Sequence, residues 1–177
     1  MQQSDYVVRK SLENAVQMEY KALTDDMTGA YNKNRLIELL NNRERDGQDI
    51  AVIYWDVNQL KYVNDNWGHL CGDRLITEVA KTIQSIAREE DIVIRYGGDE
   101  FLLYVANGTK EIAEQLIKTW KVRLEEEKKR ENYEFPVSAS VGYALGKHSQ
   151  LKDIIAAADK DMYANKRICR ESYQSKR

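Results

Sequence analysis

The chain has 177 residues, which corresponds to about one domain and is long enough to bury a substantial core. Its 27 basic and 29 acidic side chains give a formal net charge of -2, which argues against a protein that holds nucleic acid through bulk positive charge. The apolar runs are far shorter than the roughly 20 residues that cross a bilayer, and no signal segment is recognisable. Two cysteines, Cys71 and Cys169, exclude a disulfide framework and a cysteine zinc site. We therefore expect a cytoplasmic protein without membrane contact.

Residues 1–23 predict a lead helix that precedes a domain over residues 24–177. Apolar or small side chains recur at steps of four and three, with Glu19 at the remaining position of the series Val8, Leu12, Ala15, Glu19 and Ala22. This spacing is the heptad seam of a helix that pairs with another helix, as in a short coiled-coil stalk. A helix packed on its own domain fits the same pattern, so both interpretations stay open.

Between residues 24 and 87, the spacing of the apolar residues changes twice. Turn residues at 24–29 end the lead helix, and leucines and an isoleucine predict a second helix over residues 32–42. The continuous apolar run at 50–55 predicts a strand buried on both faces. A polar loop then leads to helical spacing of apolar residues from Leu75 to Ala87.

The second half predicts a hairpin, a helix, a strand and a final helix. Residues 92–96 and 101–105 are two short strands around the four-residue turn Gly97-Gly98-Asp99-Glu100. Thr109 caps a helix, residues 137–144 form a strand, and a helix covers 149–170. The resulting order of strand, helix, strand, strand, helix and strand predicts an α+β fold of the split βαβ, ferredoxin-like type. Nucleotide polymerases and nucleotidyl cyclases use such a palm, but so do many binding modules, so the fold alone does not give the function. We expect an antiparallel sheet with its helices on one face.

Three acidic residues are predicted to converge at one edge of this sheet. Asp56 ends the first strand, while Asp99 and Glu100 lie at the hairpin turn. Each acid alone is more simply a solvated turn residue. The paired glycines, however, leave the backbone open to close approach by a ligand, and clustered carboxylates without histidine suit Mg²⁺ or Mn²⁺.

These residues resemble a known family. Residues 95–101, Arg-Tyr-Gly-Gly-Asp-Glu-Phe, resemble the signature of GGDEF domains, the diguanylate cyclases. Three further blocks are similar to family motifs and follow in family order: residues 25–29 with Met27 in place of Leu, residues 56–73, and residues 158–170. The resemblance implies that two GTP molecules are condensed into cyclic di-GMP with loss of two pyrophosphates.

The resemblance also implies the residues that carry the reaction. Asp56, the backbone carbonyl of Val57, and Asp99 would hold two Mg²⁺ or Mn²⁺ ions per half-site on the triphosphate. A metal pair of this kind stabilises both the entering and the leaving oxygen. Glu100 is implied to lie nearest the ribose hydroxyl as a base, and Lys61 to neutralise phosphate charge.

The implied substrate contacts involve both polar and backbone groups. The implied phosphate contacts come from Lys166, Arg170 and the N–H groups around Gln59 and Leu60. The implied guanine contacts come from Asn64 and Asp73. His69 is implied to hold the substrate loop. Three residues depart from the family pattern, namely Asn58, the pair Gln59-Leu60, and Cys169. None removes a group that the reaction needs. The Gln59-Leu60 pair leaves a cyclase of relaxed purine choice open, whereas Asp73 favours guanine.

A second ligand site is implied by Arg88-Glu89-Glu90-Asp91. An Arg and an Asp three residues apart are usually a surface ion pair worth less than about 1 kcal/mol. The family's product-inhibition site has this sequence at this spacing, so Arg88 and Asp91 are implied to bind cyclic di-GMP. A catalytically silent receptor that uses only this site is the main alternative, and the intact metal and phosphate residues argue against it.

The product joins two nucleotides, whereas one such domain binds one GTP. The resemblance therefore implies a two-fold homodimer in which each domain presents its own substrate. An upstream sensor usually brings family members together, and either a missing sensor domain or another form of regulation is left open for this chain. His148 lies in a polar loop and is given no role.

Overall fold

The structure is a computed structural model that describes residues 2–174, together with the side chains of residues 6–167. Two single-turn 3₁₀ helices cover Arg43–Arg45 and His148–Gln150. The main elements in chain order are α1 (Gln2–Leu23), α2 (Lys33–Asn41), β1 (Asp49–Val57), α3 (Leu60–Trp67), α4 (His69–Gln84), β2 (Ile92–Arg95), β3 (Glu100–Ala106), α5 (Lys110–Glu131), β4 (Ala139–Lys147) and α6 (Leu151–Gln174).

The four strands form one antiparallel sheet in the order β2-β3-β1-β4. Strand β1 is central and pairs with β3 from Ile50 opposite Ala106 to Asp56 opposite Glu100. On its other side, β1 pairs with β4 along its whole length. The predicted α+β fold with an antiparallel sheet is confirmed, and the register places the end of β1 beside the start of β3.

The expectation that helices cover only one face of the sheet is wrong. One core contains Ile53 and Trp55 of β1 with the apolar sides of α4 and α5. The other contains Val52 and Tyr54 with the buried residues of α2 and α6. Because successive side chains of a strand point to opposite faces, the continuous apolar run of β1 supplies both cores.

The segment predicted as a polar loop after β1 is largely helical. Helix α3 has eight residues and buries only Val63, so it lacks the repeated apolar spacing by which a helix is recognised in sequence. Gly68 connects it to α4, which begins at His69, six residues earlier than the apolar pattern indicates, and ends at Gln84 rather than at Ala87.

His148 is buried, which corrects its assignment to a polar loop. Only 3% of its surface is exposed. Its Nδ1 lies 2.9 Å from the Tyr104 hydroxyl, and its Nε2 lies 2.8 Å from the carbonyl oxygen of Leu39. The imidazole thus joins β3 to the end of α2, because burial requires both ring nitrogens to find partners.

Helix α1 keeps its apolar side chains in solvent along the part whose side chains are described. Leu12 and Val8 of the predicted seam are 61% and 56% exposed. The base of the helix is fixed, since the side-chain amides of Asn32 and Asn34 donate to the Ala22 carbonyl at 2.9 and 3.0 Å. Over residues 6–22, whose side chains the structure describes, the apolar face of α1 therefore does not pack on its own domain. Within residues 2–174, none of the helices has the length and apolar character that spanning a bilayer requires.

Candidate active site

The end of β1 brings together the acidic residues that the sequence singles out. Asp56 lies opposite Glu100 of β3 in the strand register. The backbone N–H of Val57 donates to the Asp99 carbonyl at 2.8 Å, which holds the hairpin turn against the end of β1. Asp56, Asp99 and Glu100 thus meet at one edge of the sheet, as predicted.

This edge concentrates negative charge. Burial, reinforced by the charges of Asp56 and Glu100, raises the pKa of the Asp99 carboxyl, although Lys166 acts in the opposite direction. Carboxylates that lie near one another repel when both are charged. A cation bound between these acidic side chains would relieve that repulsion.

Lys166 of α6 supplies one positive charge to the site. Its Nζ lies 2.5 Å from Asp56 Oδ1, and both side chains are about one-fifth exposed, at 18% and 20%. The lysine implied to meet phosphate is thus directed at the strand end by α6. Beside it opens a cavity of about 460 Å³, whose lining includes Asn58, Gln59 and Ser140.

Glu100 is held by a residue that the sequence pattern does not assign to the site. The Tyr54 hydroxyl donates to Glu100 Oε1 at 2.6 Å. Tyr54 belongs to an uninterrupted apolar run, which explains why it is interpreted only as core. The available signal is its position two residues before Asp56, because alternate strand residues share a face.

The segment after β1 carries the predicted substrate residues. Gln59 has a left-handed backbone, with φ of 61°, and precedes α3, whose first residues are Leu60 and Lys61. Lys61 is exposed, as is His69 at the start of α4. The turn at Gln59 thus leads directly from the strand end into a helix N-terminus, where free N–H groups favour anions.

Asn64 and Asp73 lie on either side of a close approach between α3 and α4. A Cβ on Gly72 would lie 1.8 Å from Asn64 Oδ1, so any other residue there would displace the Asn64 side chain. The Asn64 oxygen is buried and has no hydrogen-bond partner among the described residues. Asp73 follows Gly72 and is exposed. The Asn64 side chain therefore lies at this junction with its amide oxygen facing Gly72.

The hairpin turn also contacts the turn that follows α1, in a way that the sequence pattern does not predict. Arg95 Nη1 donates to Asp25 at 3.0 and 3.1 Å, and Arg95 Nη2 donates to the Gly98 carbonyl at 2.7 Å. Asp25 also accepts from the Thr28 backbone and hydroxyl. The first of the family-like blocks, residues 25–29, therefore stabilises the glycine turn through the contact of Asp25 with Arg95.

Arg88 and Asp91 lie away from this edge, where they contact each other. Two guanidinium nitrogens donate to the two Asp91 oxygens at 3.0 and 2.8 Å. Asp91 also accepts from the backbone N–H of Arg88 and of Ala106, and its side chain has no exposed surface. The pair therefore fixes the turn after α4 to the end of β3.

The last helix contains two further residues that the motif resemblance singles out. Arg170 and Cys169 lie within α6, but their side chains are outside the described part of the structure. The phosphate contact of Arg170 and the effect of Cys169 on it therefore stay predictions.

The residues at the strand end fit a hard divalent cation that is shared with a phosphate ligand. Among the residues that the structure describes, no three His, Cys, Asp or Glu side chains form a ready metal cage. Asp56, Asp99 and the Val57 carbonyl offer only oxygen, and Mg²⁺ is usually held by one or two carboxylates together with substrate phosphates. The crowding of carboxylates that raises the pKa of Asp99 is consistent with such an ion.

Comparison with known proteins identifies the family of the chain. Residues 22–172 match the family described as "Diguanylate cyclase, GGDEF domain". The match covers most of the chain, so the chain belongs to this family.

Particular relatives differ in their stated activities. The probable diguanylate cyclase DgcJ of Escherichia coli (strain K12) is 34% identical over 148 residues, which cover 81% of this chain and 29% of that protein. The cyclic di-GMP phosphodiesterase PdeR of the same strain is 34% identical over 149 residues, which cover 82% and 22%. The chain thus spans less than a third of either relative.

A solved structure covers almost the whole chain. The coiled coil and GGDEF domain of DgcB from Caulobacter crescentus, in complex with c-di-GMP, has a TM-score of 0.77 and 26% identity. The match covers 93% of this chain and 91% of that chain.

Proposed function

We propose that this domain is an active diguanylate cyclase, which condenses two GTP molecules into cyclic di-GMP and releases two pyrophosphates. The observation that carries the proposal is the meeting of Asp56, Asp99 and Lys166 at the strand end, with the pKa of Asp99 raised by burial and by neighbouring acids. A domain that only binds a ligand or a partner at its surface has no need of this cluster. Membership of the family described as "Diguanylate cyclase, GGDEF domain" supports GTP as the ligand.

Asp56, Asp99 and the Val57 carbonyl would hold two Mg²⁺ or Mn²⁺ ions on the triphosphate. Bound there, the metal pair supplies positive charge for the entering and leaving oxygens of an in-line displacement. Lys166 contributes a positive charge to the same region, because its side chain reaches the strand end from α6.

The chain's own side chains would orient the nucleotide and move one proton. Asn64 and Asp73 bind the guanine edge, where the Asp73 carboxylate accepts from the ring N–H and the amino group. Lys61, Lys166 and Arg170 face phosphate, and so do the N–H groups of Gln59 and Leu60. In each transfer the 3′-oxygen attacks the α-phosphorus, the bond to the β-phosphate oxygen breaks, and Glu100 accepts the hydroxyl proton.

Two domains must meet for either phosphodiester bond to form, because each bond joins GTP molecules held by different domains. We assign a two-fold homodimer to the working state, because one site that binds one GTP cannot close a cyclic dinucleotide by itself. Helix α1 is the device proposed to bring the domains together, since the described side chains of its heptad series are solvent-exposed. In a longer protein, a sensor domain before residue 1 would act through this helix.

Product identification by mass spectrometry tests the proposal. The protein is incubated with Mg²⁺ and GTP, alone and mixed with ATP. We expect cyclic di-GMP from the wild type, a loss of at least about 100-fold in Asp99→Ala, and unchanged turnover in Asp26→Ala, an exposed aspartate of a different turn. Mixed GMP–AMP products would instead indicate relaxed purine choice, and no product at concentrations that force dimers would contradict cyclase activity.

Product inhibition is proposed at Arg88 and Asp91, and the receptor alternative would use the same site. A cavity of about 390 Å³ beside Asp91 is lined in part by Arg35 and Arg45. The Arg35 Nε is buried without a hydrogen-bond partner among the described residues, which favours an anionic or acceptor-rich ligand.

Arg45→Ala tests this second site better than Arg88→Ala does, because it leaves the buried Asp91 paired. We expect about ten-fold weaker binding of cyclic di-GMP by calorimetry and a matching loss of inhibition, while turnover without product is retained. Arg43→Ala, at an exposed neighbour, serves as the control. Unchanged binding and inhibition in Arg45→Ala would contradict the assignment.

A further inference from the structure

Tyr54 connects the buried sheet to the acidic edge. Its ring lies in the core with 2% of the residue exposed, while its hydroxyl reaches Glu100 Oε1 at 2.6 Å. Tyr54 and Asp56 are alternate residues of β1 and therefore share the face of the sheet that α6 covers. The tyrosine thus approaches Glu100 from the side of the core, next to Asp56.

The other carboxylate oxygen is confined by the glycine turn. A Cβ on Gly97 would lie 2.2 Å from Glu100 Oε2, so the carboxylate occupies space that any other residue at position 97 would fill. The Tyr96 ring packs edge-on against Tyr54 with a centroid distance of 5.9 Å. Glu100 is therefore bounded by a hydroxyl donor on one side and by bare backbone on the other.

The tyrosine is built to act as a donor. A phenolic hydroxyl carries one proton that it can donate to a carboxylate, and the Tyr54 hydroxyl lies 2.6 Å from Glu100 Oε1. A charge-assisted bond of this length restrains a side chain that Asp56 and Asp99 would otherwise repel.

We propose that Tyr54 is a positioning residue of the cyclase, one that holds the Glu100 carboxylate in place to receive the proton of the ribose hydroxyl. This inference rests on the proposed function. It assigns no contact between Tyr54 and GTP. Its effect is therefore expected on the chemical step rather than on nucleotide binding, because a base must lie within hydrogen-bond reach of the proton it takes.

Steady-state kinetics of Tyr54→Phe test the assignment. The ring and its packing stay, and only the hydroxyl is removed. We expect kcat to fall roughly ten-fold with KM for GTP within about two-fold of the wild type, since a hydrogen bond to a charged group is lost at the reacting centre. Tyr143→Phe is the matched control, because it removes a hydroxyl that donates to Glu114 at 2.9 Å in the same sheet.

A double-mutant cycle separates positioning from a general loss of structure. Glu100→Asp keeps a carboxylate but shortens it, so that Tyr54 no longer reaches it. In that background we expect Tyr54→Phe to lower kcat less than two-fold further, because the two residues act as a unit. Thermal unfolding of each variant accompanies the kinetics.

The outcomes are distinct. A ten-fold fall that disappears in the Glu100→Asp background supports positioning. Unchanged kcat in Tyr54→Phe, an equal fall in Tyr143→Phe, or a full additional fall in the Glu100→Asp background would overturn it while leaving the cyclase assignment intact. A wild-type protein that makes no cyclic di-GMP would overturn both proposals.

Discussion

Asp56 and Asp91 are both aspartates that contact a basic side chain, yet their surroundings differ. Asp91 has no exposed side-chain surface and accepts hydrogen bonds from the backbone and guanidinium of Arg88 and from the Ala106 backbone. Asp56 is 20% exposed, with one contact to Lys166 and a neighbour, Asp99, of the same charge. One carboxylate is saturated with donors, and the other is not.

The difference determines what each carboxylate has left to offer a ligand. A buried carboxylate with all its oxygens satisfied stabilises the local fold, and further ligands must compete with those bonds. A carboxylate beside another of the same charge has residual affinity for cations. The spacing of Arg88 and Asp91 in the sequence gives no sign of this burial, although the resemblance to the family implies a ligand there.

Removal of Asp91 gives the largest expected change in stability. Asp91→Ala leaves the Arg88 guanidinium and two backbone N–H groups without their acceptor, so we expect the free energy of unfolding to fall by about 3 kcal/mol. Urea unfolding followed by circular dichroism measures this loss.

Asp56→Ala is the matched comparison for Asp91→Ala. It removes a partly exposed contact and relieves repulsion of Asp99, so we expect a change below about 1 kcal/mol. Equal losses in the two variants would mean that the two aspartates do not differ in the way their contacts indicate.

The sequence predicts the sheet well because its strands are apolar runs bounded by turns. The hairpin around Gly97 and the central strand are both found where expected. Helix α3 is missed because its one buried side chain, Val63, gives no periodicity. Helices on both faces follow from the same apolar run of β1, but the run alone does not specify what covers each face.

The sequence predicts which residues belong to the candidate site but not how they are arranged. Motif resemblance identifies Asp56, Asp99 and Lys166, whereas the contact between Asp56 and Lys166 depends on how α6 crosses the sheet. Lys166 and Asp56 are separated by 110 positions in the chain, so no local pattern encodes their distance of 2.5 Å. Tyr54 illustrates the same limit, since a tyrosine in an apolar strand is interpreted as core unless its hydroxyl partner is known.

The smallest expected change in stability comes from Asp99, the acidic neighbour of Asp56. Burial and the nearby acids raise the pKa of Asp99 in the folded protein above that in the unfolded chain, so its charged form opposes folding at neutral pH. In metal-free buffer at pH 7.5, we expect Asp99→Asn to raise the free energy of unfolding, by less than about 1 kcal/mol because solvent screens the site. As the pH falls through the folded-state pKa, the wild type takes up a proton and loses this penalty. The advantage of the variant should therefore shrink as the pH is lowered toward about 4, the ordinary pKa of an aspartate. Urea unfolding across this pH range measures it, with Asp26→Asn as an exposed control, and an advantage that stays the same or grows at the acid end would contradict the electrostatic interpretation of the strand end.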